Sequence, residues 1–141
     1  MKKKLAIILV AVLALTVVCL TACTDPSLKE VEGTYELTSI TGGESLGVTV
    51  DAYDYFRIIL DGKGNGTVEF KVAGLSLKQS STGKYKYKNG QIEFTVKNGS
   101  TSATETYDYA DGVITYVMEM PNGYSTINIT LKFTRVEAQQ Q

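Results

Sequence analysis

From Gly33 to Val136 the chain alternates apolar and polar residues with a period of two, in short runs that Gly, Asn or Asp bring to a close. No stretch of this range holds a helical period for long, so the pattern predicts an all-β domain of short antiparallel strands. Gly33–Ile40 is the first strand. Tyr55–Leu60 follows, with Phe56, Ile58 and Leu60 on one face, then Thr67–Val72 with Val68, Phe70 and Val72, and a short extra strand over Leu75–Gln79. Hairpins fill the rest, for eight or nine strands in sequential order. Every inner face is apolar, which suits an up-and-down meander whose single curved sheet closes on itself and leaves no exposed edge.

The turns predict a register. Two-residue Asn-Gly and Asp-Gly loops favour the type I′ hairpin, in which both central residues take positive φ. Asn89-Gly90 then sets Tyr87 opposite Ile92, Tyr85 opposite Phe94 and Lys86 opposite Glu93. Asp111-Gly112 sets Tyr109 opposite Ile114 and Tyr107 opposite Tyr116. Asn98-Gly99 sets Phe94 opposite Ala103 and Ile92 opposite Glu105, and Asn122-Gly123 sets Met118 opposite Ile127 and Tyr116 opposite Ile129. All four turns put the same residues on the same face, and a one-residue slip in any of them would invert its apolar set. Lys84, Lys86, Glu93, Thr104, Thr106, Asp108, Thr130 and Lys132 face outward, with Val117 the apolar exception.

One hairpin recipe, Tyr-x-Tyr-x-Asn/Asp-Gly-x-Ile-x-Phe/Tyr, occurs twice, from Tyr85 and from Tyr107. Its tyrosines read first as core, because aromatic residues opposite Ile and one another are strong cross-strand pairs. Glu105 is the one acidic side chain that the hairpins place inward; counting from Asp111-Gly112 sets it opposite Met118. A buried carboxylate must neutralise, find a hydrogen bond or meet water. Glu105, Tyr87, Tyr107, Tyr109, Tyr116 and Met118 are therefore the candidate ligand-binding residues, a polar end to an otherwise apolar pocket.

The N-terminus is built differently. Lys2, Lys3 and Lys4 precede an apolar run over Leu5–Leu20 broken only by Thr16, and Leu20-Thr21-Ala22-Cys23 matches the bacterial lipobox. A spanning helix needs about 20 apolar residues; this run is shorter and stops at a processing pattern. The predicted organisation is a cleaved signal peptide at 1–22, the lipidated Cys23 with a tether through residue 32, the β-barrel over 33–136 and a polar tail at 137–141. The lipid would hold the domain on the extracytoplasmic face of a cell membrane or envelope.

Composition narrows the chemistry. Of the two cysteines, Cys19 leaves with the signal and Cys23 takes the lipid; the chain has no histidine. That leaves no thiol for a disulfide, zinc site or nucleophile, and removes the commonest general base and metal ligand. The 14 basic side chains, less the three leader lysines, stand against 15 acidic ones, so the mature chain carries a net charge of −4. The longest basic grouping is the alternating Lys84, Lys86, Lys88, which excludes a nucleic-acid footprint. Asp61-Gly-Lys-Gly-Asn-Gly66 resembles the start of a calcium loop, but Lys63 and Val72 stand at the third and twelfth positions, where oxygen ligands are needed. We expect no metal, no cofactor and no catalytic residue; a carboxylate-pair hydrolase is the remaining enzyme reading, and no spacing supports it.

In its ends the chain resembles the small lipocalin-like lipoproteins of bacteria, within the calycin group of up-and-down barrels. Gly33-Thr34-Tyr35 stands where lipocalins place Gly-x-Trp, and Arg135, in Lys132-Phe133-Thr134-Arg135, lies near the end of the last strand. The resemblance covers Gly33–Val136; Tyr replaces Trp, and a second lipocalin block is not evident. It implies a lipocalin-like barrel in which Arg135 packs across the Tyr35 ring to close one end, a stacking that suits a guanidinium plane. It also implies that the Thr41–Asp54 connection covers the open mouth, either packed as a lid or containing a short helix that plugs the barrel, and that the barrel carries a small apolar or amphipathic molecule. The alternative partner is another envelope protein, met by the surface of a barrel packed solid.

Overall fold

The structure, a computed structural model, describes residues 25–137; the segment expected to be a signal peptide, Cys23 and residues 138–141 lie outside the described residues. A one-turn helix α1 (Ser27–Glu30) leads into eight strands: β1 (Gly33–Thr41), β2 (Tyr53–Leu60), β3 (Asn65–Val72), β4 (Lys78–Lys88), β5 (Gln91–Asn98), β6 (Thr101–Ala110), β7 (Val113–Asn122) and β8 (Ser125–Val136). Each strand pairs antiparallel with its sequence neighbour, and β1 pairs with β8, so the sheet is a closed barrel. The short strand expected at Leu75–Gln79 is not separate. Leu75–Leu77 is loop, and Gln79 belongs to the 11-residue β4, so the strands among the described residues number eight.

Two of the four turns carry the expected register. Asn89 and Asp111 take positive φ beside their glycines, and Tyr87 faces Ile92 and Tyr109 faces Ile114. The other two are shifted by two residues. Phe94 faces Glu105 instead of Ala103, Ile92 faces Tyr107, Met118 faces Ile129 and Tyr116 faces Leu131. The reason lies one residue beyond each loop: the hydroxyls of Thr101 and Ser125 donate to the carbonyls of Asn98 and Asn122, at 2.8 and 3.0 Å. These bonds hold each Asn within the ladder, and the loop becomes Gly99-Ser100 or Gly123-Tyr124, with the glycine at positive φ. A two-residue shift preserves the parity of faces, so the inner and outer sets stand as expected.

Tyr35, Ile58, Tyr85, Ile92, Phe94, Ile114, Ile129 and Phe133 form the core and are almost fully buried. One end of the barrel is sealed by the segment expected to be a free tether. Among its described residues, Val31 is completely buried, Leu28 packs on the core, and α1 lies across the opening. Tyrosines hold it there. Tyr35 Oη donates to Val31 O (2.8 Å), Tyr85 Oη to Leu28 O (3.4 Å), Tyr109 Oη to Glu30 O (3.2 Å) and Tyr87 Oη to Glu30 Oε1 (2.9 Å). A linker that buries an apolar side chain and receives hydrogen bonds from tyrosines of three strands belongs to the domain. The barrel, its core and its plug together make a unit equipped to fold by itself.

Gly83 marks a corner. Pairing of β4 with β5 stops at Lys84↔Thr95, and beyond it β4 follows β3 alone. A Cβ on Gly83 would lie 2.3 Å from the Thr95 carbonyl oxygen, so only glycine permits the approach. Gly83→Ala is expected to destabilise the domain by about 1–3 kcal/mol in urea unfolding. An unchanged midpoint would mean that the two strands do not meet so closely.

Candidate functional site

The inner wall thins toward the end opposite the plug. Ser81, Ala103 and Val96 are small or short side chains on the inner faces of β4, β6 and β5, and they leave space that the tyrosines fill at the plugged end. The resulting cavity of about 200 Å³ is lined by Val68, Ser81, Phe94, Val96, Ala103, Glu105 and Tyr107. Two cross-strand pairs, Val68↔Ser81 and Val96↔Ala103, form its sides. Phe94 and Tyr107, both buried, form its base. Loops at this end expose Leu46, Leu75, Leu77 and Tyr124, an apolar rim around an open mouth.

Glu105 lies on the inner face but at the level where the barrel opens, so its side chain reaches water. Tyr107 Oη donates to Glu105 Oε2 at 3.1 Å. Burial first, and then the Glu105 charge, push the Tyr107 hydroxyl well above the ordinary tyrosine range; the same two causes raise that of Tyr116. The Tyr107 and Tyr116 rings meet edge to face, with centroids 5.1 Å apart. They do so where the wall divides: β6 and β7 pair only from Asp108↔Thr115 to Ala110↔Val113. The expected Tyr107–Tyr116 ladder pair is thus replaced by a ring contact that wedges the division.

Of the six candidate ligand residues, then, Glu105 and Tyr107 line the cavity and Tyr116 packs against Tyr107. Met118 follows on the same face of β7, half-buried and opposite Ile129. Tyr87 and Tyr109 are elsewhere. They sit beside the tight turns at the plugged end, and their hydroxyls are engaged by Glu30. Period-two parity sorts residues between faces; it says nothing of height along the barrel, and each residue along a strand moves the side chain about 3.3 Å.

At the plugged end Tyr35 stands directly opposite Arg135. The guanidinium carbon lies 5.3 Å from the Tyr35 ring centroid, and Nε and Nη2 donate to Tyr35 Oη at 3.2 and 2.7 Å. Nη2 also donates to Tyr109 Oη (2.8 Å) and to the Glu30 carbonyl. Burial pushes the Tyr35 hydroxyl up to about 12, against the opposing pull of Arg135.

The connection between β1 and β2 forms two 3-10 turns, Glu44–Leu46 and Val50–Ala52. It packs at the flank of the mouth, where β1 and β2 part after Glu36↔Arg57. A second recess of about 190 Å³ lies there, among Glu36, Leu37, Val50, Tyr53, Asp54, Tyr55 and Phe56.

The outer wall holds one group that alternation hid. Glu69 is buried on the polar face beneath Arg57 and Lys78, which pair with it and cross the Tyr55 ring. Its hydrogen bonds to Lys78 and then Arg57 hold its carboxyl below the usual range. The available signal was Arg57 directly opposite Glu69 across β2 and β3. Asp61 closes its own loop by accepting from the amides of Lys63 (2.8 Å) and Asn65 (2.9 Å). Among the described residues no cluster of three acidic, cysteine or histidine side chains could hold a metal ion.

Comparison with curated proteins and with solved structures returns no match. The lipocalin-like domain family model matches residues 31–116, more than half of the chain, from the plug residue Val31 through β6 and into β7. The match and the closed eight-stranded meander agree, and the chain belongs to the lipocalin-like domain family.

Proposed function

We propose that the domain binds a small apolar or amphipathic molecule in the mouth of its barrel, without catalysis, while a lipid on Cys23 holds it on the extracytoplasmic face of a membrane. The observation that carries the binding reading is the mouth cavity, apolar at Val68, Phe94, Val96 and Ala103 and polar at Glu105 and Tyr107. An eight-stranded barrel either fills with side chains or keeps room for one small ligand. Here the plugged part is filled and the mouth is not. The address rests on the lipobox at Leu20–Cys23.

Amide chemical shifts of the chain from Thr24 to Gln141, titrated with 1-hexanol, test the binding reading. We expect saturable changes centred on Val96, Ala103 and Glu105, and their loss in Ala103→Trp, whose indole would occupy the cavity. Changes scattered over the outer faces, or equal in the variant, would defeat it. The filled lower barrel favours the second reading, a packed module that meets another envelope protein, and that reading would then stand.

A further inference from the structure

The inner face of the barrel is unevenly charged. Lys78, Lys84, Lys86, Lys88, Lys97 and Lys132 sit on the outer faces of their strands, as does Arg57, and the inward Arg135 is engaged at the plugged end. Glu105 therefore faces the mouth cavity with no cation on the inner wall beside it, and none of the ion pairs among the described residues includes it. A carboxylate offers about four acceptor sites and no donor. Tyr107 supplies one hydrogen bond to Oε2, Tyr116 stands beside the carboxylate, and Glu105 lines the cavity with its side chain reaching solvent. The rings of Tyr107 and Tyr116 stand next to it, and aromatic faces attract cations.

We propose that the mouth cavity selects ligands bearing a positively charged amine on a short apolar body, the ammonium seated by Glu105 beside Tyr107 and Tyr116. This rests on the binding reading above and specifies its ligand class. The apolar body would lie against Val68, Phe94, Val96 and Ala103. At roughly 30 Å³ for each water-sized group, the volume suits a body of several heavy atoms, not a long acyl chain. An ammonium brings three donors to a group that only accepts, an alcohol brings one, and a carboxylate brings like charge.

Calorimetric titration of the Thr24–Gln141 chain with 1-hexylamine, 1-hexanol and hexanoate, at neutral pH and low salt, separates the cases. We expect the amine to bind about tenfold more tightly than the alcohol, the size of effect expected for one partly hydrated ion pair together with a cation–aromatic contact. Hexanoate should be weakest. Glu105→Gln, at an exposed position that leaves the core untouched, should abolish the advantage of the amine over the alcohol. Equal binding of amine and alcohol, or tightest binding of hexanoate, would overturn the amine assignment and leave the apolar site standing. Failure of all three to bind would remove both.

Discussion

Tyr35→Ala is expected to lower the stability of the domain by about 3–5 kcal/mol, the range for removing a buried aromatic side chain from a well-packed core. The ring is completely buried, meets Tyr109 edge to face at 6.2 Å and lies beneath the Arg135 guanidinium. Its loss opens a cavity and strips partners from Arg135 Nε and from the Val31 carbonyl in one step. In a domain of this size that corresponds to a fall in Tm of roughly 10–20 °C. Tyr35→Phe keeps the ring and removes only the hydroxyl, so it should cost about 1–2 kcal/mol. The difference between the two variants, read by thermal or urea unfolding, separates packing from hydrogen bonding. A Tyr35→Ala protein within 1 kcal/mol of its parent would show that the first and last strands do not depend on this contact.

Cys23→Ala is expected to abolish membrane attachment through lipid altogether. On the proposed lipoprotein reading the thiol accepts the diacylglycerol, and alanine has no atom that can replace it. The variant should retain its leader, incorporate no labelled fatty acid and migrate as the larger precursor. Each buried methylene of an acyl chain is worth about 0.8 kcal/mol, so losing the lipid removes far more binding energy than any single surface contact of the barrel could restore. A Cys23→Ala chain that was processed and fractionated as usual would refute the lipoprotein address.

What could be read beforehand followed the reach of each signal. Alternation is local, and it identified the faces of Tyr85, Ile92, Phe94, Ile114 and Phe133 correctly, because side-chain parity survives even a two-residue register error. The errors arose where a second local bond competed with the turn. Nothing in Asn98-Gly99 or Asn122-Gly123 alone reveals that Thr101 and Ser125 will draw the asparagine into the ladder. The candidate site was legible in part. Glu105 and Tyr107 were found by parity, whereas Ser81 and Ala103 contribute by being small, and a missing side chain has no periodicity. Tyr87 and Tyr109 were assigned to the ligand because their true partner, Glu30, lies in a short polar segment with no strand or helix pattern of its own.

The docked N-terminal plug also bears on orientation. Asp25 is already ordered, its side chain accepting from the Ser27 amide at 3.0 Å, and only two residue steps separate it from Cys23. Such a leash spans roughly 7 Å at full stretch. A lipid on Cys23 would thus hold the plugged end against the headgroups. Strands of this length, tilted as barrel strands are, would carry the mouth about 25 Å away, facing outward. Cargo would then arrive from the aqueous side and not sideways out of the anchoring bilayer, so the domain would sample what diffuses past the surface and not the lipids on which it stands.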